Sequence, residues 1–388
     1  MKVSAALLVI AVLAGVTAGV ARGGVMYTVV DLGSLGGSEQ SAKAINNAGV
    51  AVGWGSDAMG NPLAFLSSGA PQPLFAGQAN GINGAGAVVG TAYTASGAQA
   101  VVWRAGTTTA LGTLGGAESY GMAMNEAGQA VGGAQRADGR IHAFLSNGTT
   151  MQDLGELGGG WSSAYGINNA GVVAGYAMTG SGTFRAFRWT PESGMQALGT
   201  LGGSNSYAMA INDLGTIVGA STTASGWLHA ALFWGDSVID LGTLGGGMSA
   251  AYAINNLGEI VGFSWNFTGS SAVLWRGGQL ISLNQYLLTP GWWLEAAYGI
   301  NDAGQIVGAG WYEGKARAFR LDPVLLPDVI DDPVAYADFF DPGAGAPLIH
   351  NPEPSTLFLL LGAAGPAAGL VALRRRRVKR ATSGLARR

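Results

Sequence analysis

A ten-residue pattern that recurs seven times constrains the fold of this 388-residue chain more than any other feature. The pattern is [Ala/Gly]-[Ile/Met]-Asn-x-x-Gly-x-x-[Val/Ala]-Gly, and its asparagines are Asn46, Asn83, Asn125, Asn168, Asn212, Asn255 and Asn301. Successive asparagines lie 37 to 46 residues apart, close to the length of a four-stranded propeller blade. The chain is therefore built from one repeated unit.

The fourth repeat shows what each unit contains. Apolar and aromatic runs at 163–167, 172–178, 184–189 and 195–198 are separated by clusters of Gly, Asn, Ser, Thr and Pro. Short runs of this kind, bounded by turn residues, are typical of consecutive β-hairpins. Each unit is thus predicted to be a four-stranded antiparallel meander.

The connections between units predict how the repeats are joined. A Leu-Gly-x-Leu-Gly-Gly motif occupies 32–37, 111–116, 154–159, 198–203 and 241–246. Its glycines permit the positive φ angles of a sharp crossover. The crossovers at 74–80 and 283–296 lack the motif, and the second one is longer.

The two ends of the repeat region predict a closed ring. Residues 26–32 resemble a fourth strand, whereas the last repeat stops after its third strand at Leu321. The first strand is therefore expected to complete the last sheet, which leaves no open sheet edge. The predicted fold class is all-β, a seven-bladed β-propeller over 26–321, and the alternative is an open β-solenoid of the same repeats.

The third strand of the repeat resembles that of a known family. It reads His142-Ala143-Phe144, Arg185-Ala186-Phe187, His229-Ala230-Ala231 and Arg317-Ala318-Phe319, with more divergent versions in other repeats. This segment is similar to that of the HAF family of probable extracellular repeat proteins, over roughly 27–321. The resemblance implies export but no defined reaction.

The N-terminus carries the features of a secretory signal peptide. A basic start and a short apolar run precede small residues, with cleavage expected after Ala21 or, as the alternative, after Ala18. Residues 1–21 are therefore predicted to be removed on export. An uncleaved membrane anchor is the alternative, although the apolar run is short for one.

The C-terminus contains a second targeting segment at 351–380. Pro352-Glu353-Pro354 precedes an apolar stretch, 357–373, whose length is at the lower limit for one transmembrane helix. The basic residues that follow, and the tail at 381–388, are expected in the cytoplasm by the positive-inside rule. The first four of these basic residues are Arg374, Arg375, Arg376 and Arg377.

This order of motif, helix and arginines resembles the PEP-CTERM sorting signal of Gram-negative bacteria. The resemblance implies signal peptidase and an exosortase as processing partners, and the inner membrane as an intermediate location. It further implies a final location at the cell surface or in the extracellular matrix, associated with exopolysaccharide or another surface protein. An ordinary anchor that is never cut is the alternative.

Charge and composition exclude some functions. Between residues 22 and 353 there are 11 basic and 23 acidic side chains, a net charge of −12. Such an acidic surface repels phosphates, so no nucleic-acid partner is expected. The absence of cysteine means that the exported body is held by its core rather than by disulfides. An acidic, proline-containing stalk is predicted at 322–350, with a calcium site as the alternative.

The residues that could carry catalysis recur in turns. The repeated asparagines are expected to cap their own hairpin turns, and Asp31, Asp153 and Asp240 recur before the crossovers. Since an active site needs unique residues, no catalytic, cofactor or metal site is predicted. The alternative is a propeller enzyme acting on extracellular glycans, with Glu295 and Glu313 as its carboxylates.

Tryptophans outside the repeat pattern are the better binding candidates. Exposed indole rings in or near turns could stack on sugars. These tryptophans are Trp161, Trp227, Trp265, Trp292, Trp293 and Trp311. The sequence thus predicts a non-enzymatic, exported surface or matrix protein, and a purely structural protein without a ligand remains an alternative.

Overall fold

The computed structural model describes residues 25–325 except Asp236 and Thr268, and it divides them into 27 strands and one short 3-10 helix. The predicted signal peptide, most of the predicted stalk and the whole 351–380 sorting segment lie outside the described residues. No helix long and apolar enough to cross a membrane occurs in the described part of the chain.

The strands form seven successive four-stranded antiparallel units within residues 25–325, which we call blades 1 to 7. Blades 1 and 2 share one long strand and contain β2 (Gln40–Ile45), β3 (Ala51–Ser56), β4 (Pro62–Ser67), β5 (Pro71–Ile82), β6 (Val88–Thr94), β7 (Gly97–Arg104) and β8 (Thr107–Ala110). Blade 3 contains β9 (Gly115–Met124), β10 (Ala130–Arg136), β11 (Ile141–Ser146) and β12 (Met151–Asp153). Blade 4 contains β13 (Gly158–Ile167), β14 (Val173–Thr179), β15 (Phe184–Thr190) and β16 (Gly194–Ala197).

The remaining blades follow the same order. Blade 5 contains β17 (Gly202–Ile211), β18 (Ile217–Thr223), β19 (Leu228–Trp234) and β20 (Ser237–Asp240). Blade 6 contains β21 (Ser249–Ile254), β22 (Ile260–Asn266), β23 (Gly269–Arg276) and β24 (Gln279–Ser282). Blade 7 contains β25 (Trp292–Ile300), β26 (Ile306–Tyr312), β27 (Lys315–Leu325) and the N-terminal strand β1 (Val25–Asp31).

The closing strand predicted from the sequence is confirmed. β1 pairs antiparallel with β27, from Val25 opposite Leu325 to Asp31 opposite Phe319. The long crossover before blade 7 contains the 3-10 helix Leu283–Gln285, and it also holds this strand. The Tyr27 backbone N–H donates to the Tyr286 carbonyl, and the Tyr27 carbonyl accepts from Leu288 N–H, both at 2.8 Å.

Two boundaries differ from the sequence prediction. β27 continues to Leu325, so residues 322–325 belong to the last sheet and not to a stalk, because they pair with β1. The unusual 74–80 connection is no crossover loop. Its residues lie within β5, which is the outer strand of blade 1 and the inner strand of blade 2.

Each blade requires glycine at the last position of the ten-residue pattern. In all seven blades, a Cβ atom on this glycine would overlap a backbone carbonyl of the first strand, as at Gly175 with the Ser163 carbonyl. The first strand bulges at this point, for example between Ala164 and Gly166. A bulge bends and twists the strand, and the glycine allows the second strand to approach it.

The hydrophobic core lies between neighbouring blades. In one cluster, Val131 and Ala143 of blade 3 pack against Ala164, Ile167 and Phe187 of blade 4. Similar clusters join other neighbouring pairs, and one joins blade 7 to blade 1. The core therefore continues around the ring.

The antiparallel strand order gives the ring two distinct faces. The turns between first and second strands carry the repeated asparagines, and they share a face with the turns between third and fourth strands. We call this the asparagine face. The turns between second and third strands lie on the other side together with the crossovers, and we call this side the crossover face.

Candidate functional site

The seven repeated asparagines have two structural roles, of which the sequence predicted one. Each side-chain oxygen accepts the backbone N–H four residues later at 2.9–3.0 Å, as Asn168 does from Val172. The glycine of each turn has φ between +76° and +81°, a conformation that favours glycine. The expected capped turn is confirmed in every repeat.

The second role is a closed ring of hydrogen bonds around the axis. Each Asn Nδ2 donates to the backbone carbonyl of the equivalent asparagine in the next blade, at 3.0–3.4 Å. The last of these bonds runs from Asn301 to Asn46 and closes the circle. All seven side chains are buried, so these amides hold the blades together instead of facing a ligand.

A second ring of polar contacts surrounds the channel mouth on the asparagine face. It consists of the residues that follow the repeated asparagines, each backbone N–H donating to a side chain in the next blade. Its side chains belong to Asn47, Glu126, Asn169, Asp213, Asn256 and Asp302. The ring is interrupted at Gly84, which has no side chain to accept the next bond. A shallow pocket of about 290 Å³ lies near Gly84, between blades 2 and 3, and Arg104 and Glu126 line it.

The aspartates before the crossovers also serve the turns. Each of Asp31, Asp153 and Asp240 accepts the N–H of the first crossover glycine at 2.8–2.9 Å. The same carboxylates contact the first residue of the His-Ala-Phe segment, at 2.9 Å for His142 and 2.8 Å for His229. The sequence analysis missed these two pairs, although the histidine and the aspartate are eleven residues apart in each pair and occupy matching repeat positions. In residues 25–325, no three His, Asp or Glu side chains lie close enough to share a metal ion.

The six candidate tryptophans share the crossover face and lie in or close to its turns and crossovers, as expected, but they differ in exposure. Trp227 lies in a turn, and the other five lie within three residues of the end of a first or second strand. Trp292 is buried and stacks on Tyr312, with ring centroids 5.1 Å apart. The others are partly buried within strands: Trp161, Trp265, Trp293 and Trp311.

Blades 5 and 6 present an exposed aromatic patch, which we define as Trp227 and Phe267. The Trp227 side chain is 55% exposed, and Phe267 is 96% exposed. A Cβ atom at Gly247 would lie only 2.5 Å from the Trp227 ring, so this ring lies against the crossover backbone. Phe267 lies over Gly245 of the same crossover. Two aromatic surfaces thus flank a floor of glycines and remain open to solvent.

The two glutamates of the enzyme alternative lie near the crossover-face end of blade 7. Burial raises the pKa of Glu295, and a hydrogen bond from Trp311 opposes this shift. Glu313 is exposed in the turn between β26 and β27, where its φ is +50°. The two side chains therefore lie in different environments, one desolvated and one open to water.

Sequence reasoning missed Lys43, which lies in the wall of the central channel. Its Nζ lies 3.8 Å from the centre of the Tyr298 ring. The first strands surround the axis, and Lys43 is the bulged residue of β2. The signal was available in the repeat alignment, because no other repeat has a charged residue at this position.

No family model and no curated protein matches the chain, whereas many solved structures do. A puromycin-hydrolysing peptidase from Mycobacterium tuberculosis is 12% identical with a TM-score of 0.50, over 79% of this chain and 56% of that one. TolB from Acinetobacter baumannii is 12% identical with a TM-score of 0.41, over 66% of each chain. The WD40 β-propeller domain of Doa1 is 12% identical with a TM-score of 0.40, over 76% of this chain and 97% of that domain.

At sequence identities this low, the similarity shows the fold alone. The chain also spans little more than half of the peptidase. The activity of that enzyme therefore carries no information about this protein. The strand pairing and the closed asparagine ring carry the structural conclusion. The chain is an all-β repeat protein with a β-propeller fold.

Proposed function

We propose that this protein is a non-enzymatic, exported, seven-bladed β-propeller that binds a neutral polysaccharide outside the cell. The observation that carries the proposal is the aromatic patch of Trp227 and Phe267 on the crossover face. Apolar sugar faces stack on flat aromatic rings, and tryptophan combines such a ring with a polar N–H. Two exposed rings on neighbouring blades offer contacts to more than one sugar unit.

The surroundings of the patch favour an uncharged glycan. Residues 25–325 contain ten basic and seventeen acidic side chains, a net charge of −7, which repels an acidic polysaccharide. Hydroxyl groups adjoin the rings in the two loops. Ser225 lies in the Trp227 turn, and Thr243 lies in the crossover beside the patch. These groups supply hydrogen bonds without adding charge.

The binding experiment compares exposed aromatic residues on opposite faces. Trp227→Ala combined with Phe267→Ala removes both rings of the patch, and Trp234→Ala removes a 41% exposed tryptophan at the end of β19 on the asparagine face. We expect the double variant to bind dextran, galactan and cello-oligosaccharides about tenfold more weakly, since two lost stacking contacts are worth roughly 1.4 kcal/mol. Trp234→Ala should bind normally.

Three results would contradict the glycan proposal. The unchanged protein could bind none of these neutral glycans, it could prefer alginate as an acidic comparison, or both variants could weaken binding equally. Capture of another surface protein through the same patch, with no glycan bound, would replace the polysaccharide by a protein partner.

The export part of the proposal rests on the resemblance of the two termini to sorting signals. We expect the mature protein to begin after Ala21 and, in a host that carries an exosortase, to lose its tail near Pro354. Intact-mass measurement of protein from such a host reads both ends together. A chain that keeps all of its C-terminal residues there would support a permanent anchor instead.

A second candidate function is cleavage of extracellular glycans. One observation favours it: the desolvated Glu295 has a raised pKa, which suits a general acid. If this activity exists and uses the proposed pair, Glu295→Gln with Glu313→Gln should abolish glycan cleavage. Cleavage that persists in the double variant would remove this version of the enzyme hypothesis.

A further inference from the structure

Blade 2 lacks a hydrogen-bond acceptor that three other blades have beside the repeated asparagine. Four positions after the asparagine, blades 3, 6 and 7 have a side chain that accepts from the asparagine Nδ2 at 2.8 Å: Gln129, Glu259 and Gln305. Blades 1, 4 and 5 have a β-branched residue there, and blade 2 has only Ala87. Within residues 25–325, the Asn83 amide nitrogen donates once, to the Asn125 carbonyl at 3.4 Å. One N–H of this buried amide is therefore unused.

Blade 2 nevertheless has the arginine that pairs with such an acceptor in blade 6. Arg104 and Arg276 are equivalent, because each follows the tryptophan that pairs with the fifth residue after the asparagine. In blade 6, Arg276 Nε lies 2.7 Å from one oxygen of Glu259, and the other oxygen accepts from Asn255. Among the described residues, the Arg104 side chain has neither an ion pair nor a hydrogen bond. Blade 2 thus has the arginine and the amide of this arrangement without its carboxylate.

The pocket between blades 2 and 3 is lined by these same residues, Asn83, Ala87 and Arg104, and by Glu126 of blade 3. The Gly84 N–H holds the Glu126 carboxylate, at 3.0 and 2.9 Å from its two oxygens. In the part of the chain that the structure describes, Glu126 and Arg104 form no ion pair with each other. An anion and an unpaired cation therefore line one pocket. Its volume of about 290 Å³ is at the lower end of ligand pockets, roughly 300–1,000 Å³, which limits the ligand to a small molecule.

We propose that this pocket binds a free α-amino acid with a small, uncharged side chain. The ligand carboxylate accepts hydrogen bonds from Arg104 and from the unused N–H of Asn83. It thus replaces the carboxylate that Glu259 supplies between an arginine and the ring asparagine in blade 6. The ligand ammonium group is attracted to the Glu126 carboxylate. Hydrogen bonds between charged groups are the strong ones, and the planar guanidinium matches the geometry of a carboxylate.

Calorimetric titration of the full chain with L-alanine measures this binding. Arg104→Ala removes the charged donor and should weaken binding at least about tenfold. Its side chain is exposed, so the variant should fold normally. Arg140→Ala is the control, because Arg140 is exposed in a turn on the crossover face, and it should bind L-alanine normally. The pocket and the aromatic patch lie on opposite faces, so either proposal can fail without the other.

Ala87→Glu tests where the ligand carboxylate lies. This variant gives blade 2 the glutamate that blade 6 has as Glu259, so the new carboxylate should pair with Arg104 and Asn83 and occupy the place of the ligand. We expect L-alanine binding to fall at least about tenfold, with an unchanged circular dichroism spectrum. Normal L-alanine binding by this variant in its folded state would overturn the proposal. If the variant does not fold, Arg104→Ala decides the same point.

Glu126→Gln tests the contact with the ammonium group. Glutamine keeps an acceptor for the Gly84 N–H but removes the charge, so binding of L-alanine should weaken several-fold. Propionate, which has the carboxylate without the amine, should bind this variant no more weakly than the unchanged protein. The unchanged protein should bind L-alanine more tightly than propionate. The proposal is wrong if the unchanged protein does not bind L-alanine, if it binds propionate equally well, or if Arg140→Ala weakens binding as much as Arg104→Ala.

Discussion

The two faces of this propeller are made from the same repeats but differ in how strictly they repeat. On the asparagine face, all seven turns have the same cap, the same left-handed glycine and the same bond to the next blade. On the crossover face, five connections keep the Leu-Gly-x-Leu-Gly-Gly motif, one is absorbed into β5, and one is long and holds β1. The asparagine face, whose turns repeat strictly, closes the ring. The crossover face, whose connections are irregular, is the side where residues can differ from blade to blade.

The largest expected effect concerns the strand that joins the two ends of the chain. Deletion of residues 26–32 removes the fourth strand of blade 7 together with Tyr27 and Leu32, which are almost completely buried. We expect a loss of more than about 5 kcal/mol, which is comparable to the whole stability of many domains. Thr28→Ala, which keeps the backbone pairing with β27, serves as the control. Urea unfolding followed by circular dichroism measures both.

If the protein without residues 26–32 keeps a cooperative unfolding transition and loses only part of its circular dichroism signal, the blades are independent. The ring would then contribute little to stability, and the regular and irregular faces would differ only in sequence.

The sequence predicted the local part of this structure better than the long-range part. The Asn-x-x-Gly turn is predictable because its cap and its glycine lie within five residues. The asparagine ring was missed because repeat spacing does not reveal which atoms of neighbouring blades meet. The burial of the tryptophans near strand ends was missed because some strands extend beyond their apolar runs, and glycine-rich residues such as 158–160 gave no sign of pairing.

The candidate site was predictable only in outline. Repetition correctly assigned the crossover aspartates to turns, and the off-pattern tryptophans lie on the face that carries the exposed aromatic patch. The burial of each tryptophan could not be inferred from the sequence. Trp292 and Trp227 are the same residue type, and only the residues that pack around them in the fold make one buried and the other exposed. Lys43 was visible in the alignment of repeats, but its contact with Tyr298 depends on ring closure between the first and last blades.

The second prediction compares two tryptophans on the crossover face. Trp292 is 9% exposed and packs between Tyr312 and Phe319, so Trp292→Ala should cost about 3–5 kcal/mol of unfolding free energy. Trp227→Ala, at an exposed ring, should cost less than about 1 kcal/mol. Chemical denaturation of the two variants checks this. A large loss for Trp227→Ala would mean that the patch is structural.

The third prediction concerns neighbouring asparagines on the other face. Asn168→Ala leaves the Val172 N–H and the Asn212 carbonyl without their buried partner, and we expect a loss of about 2–3 kcal/mol. Asn169→Ala removes a side chain that is exposed at the channel mouth and should cost about 0.5 kcal/mol. Similar losses in the two variants would show that the inner ring of hydrogen bonds is no more important than the outer one.

The smallest effect at neutral pH is expected in the channel wall between the faces. Burial raises the pKa of Tyr252 well above its ordinary value, and the Tyr298 phenol raises it further. The folded state thus holds this proton more tightly than the unfolded chain. The stability that this provides is complete below pH 10 and decreases as the pH rises further, by up to about 1.4 kcal/mol per pH unit for each such group.

Tyr252→Phe removes the group that loses this proton. The variant should unfold at the same urea concentration as the unchanged protein at pH 8, and it should lose roughly 1 kcal/mol less stability between pH 9 and pH 11. Urea titrations at these pH values, with tyrosinate absorbance as a second signal, make the comparison. Parallel losses for both proteins would mean that this channel position is open to water.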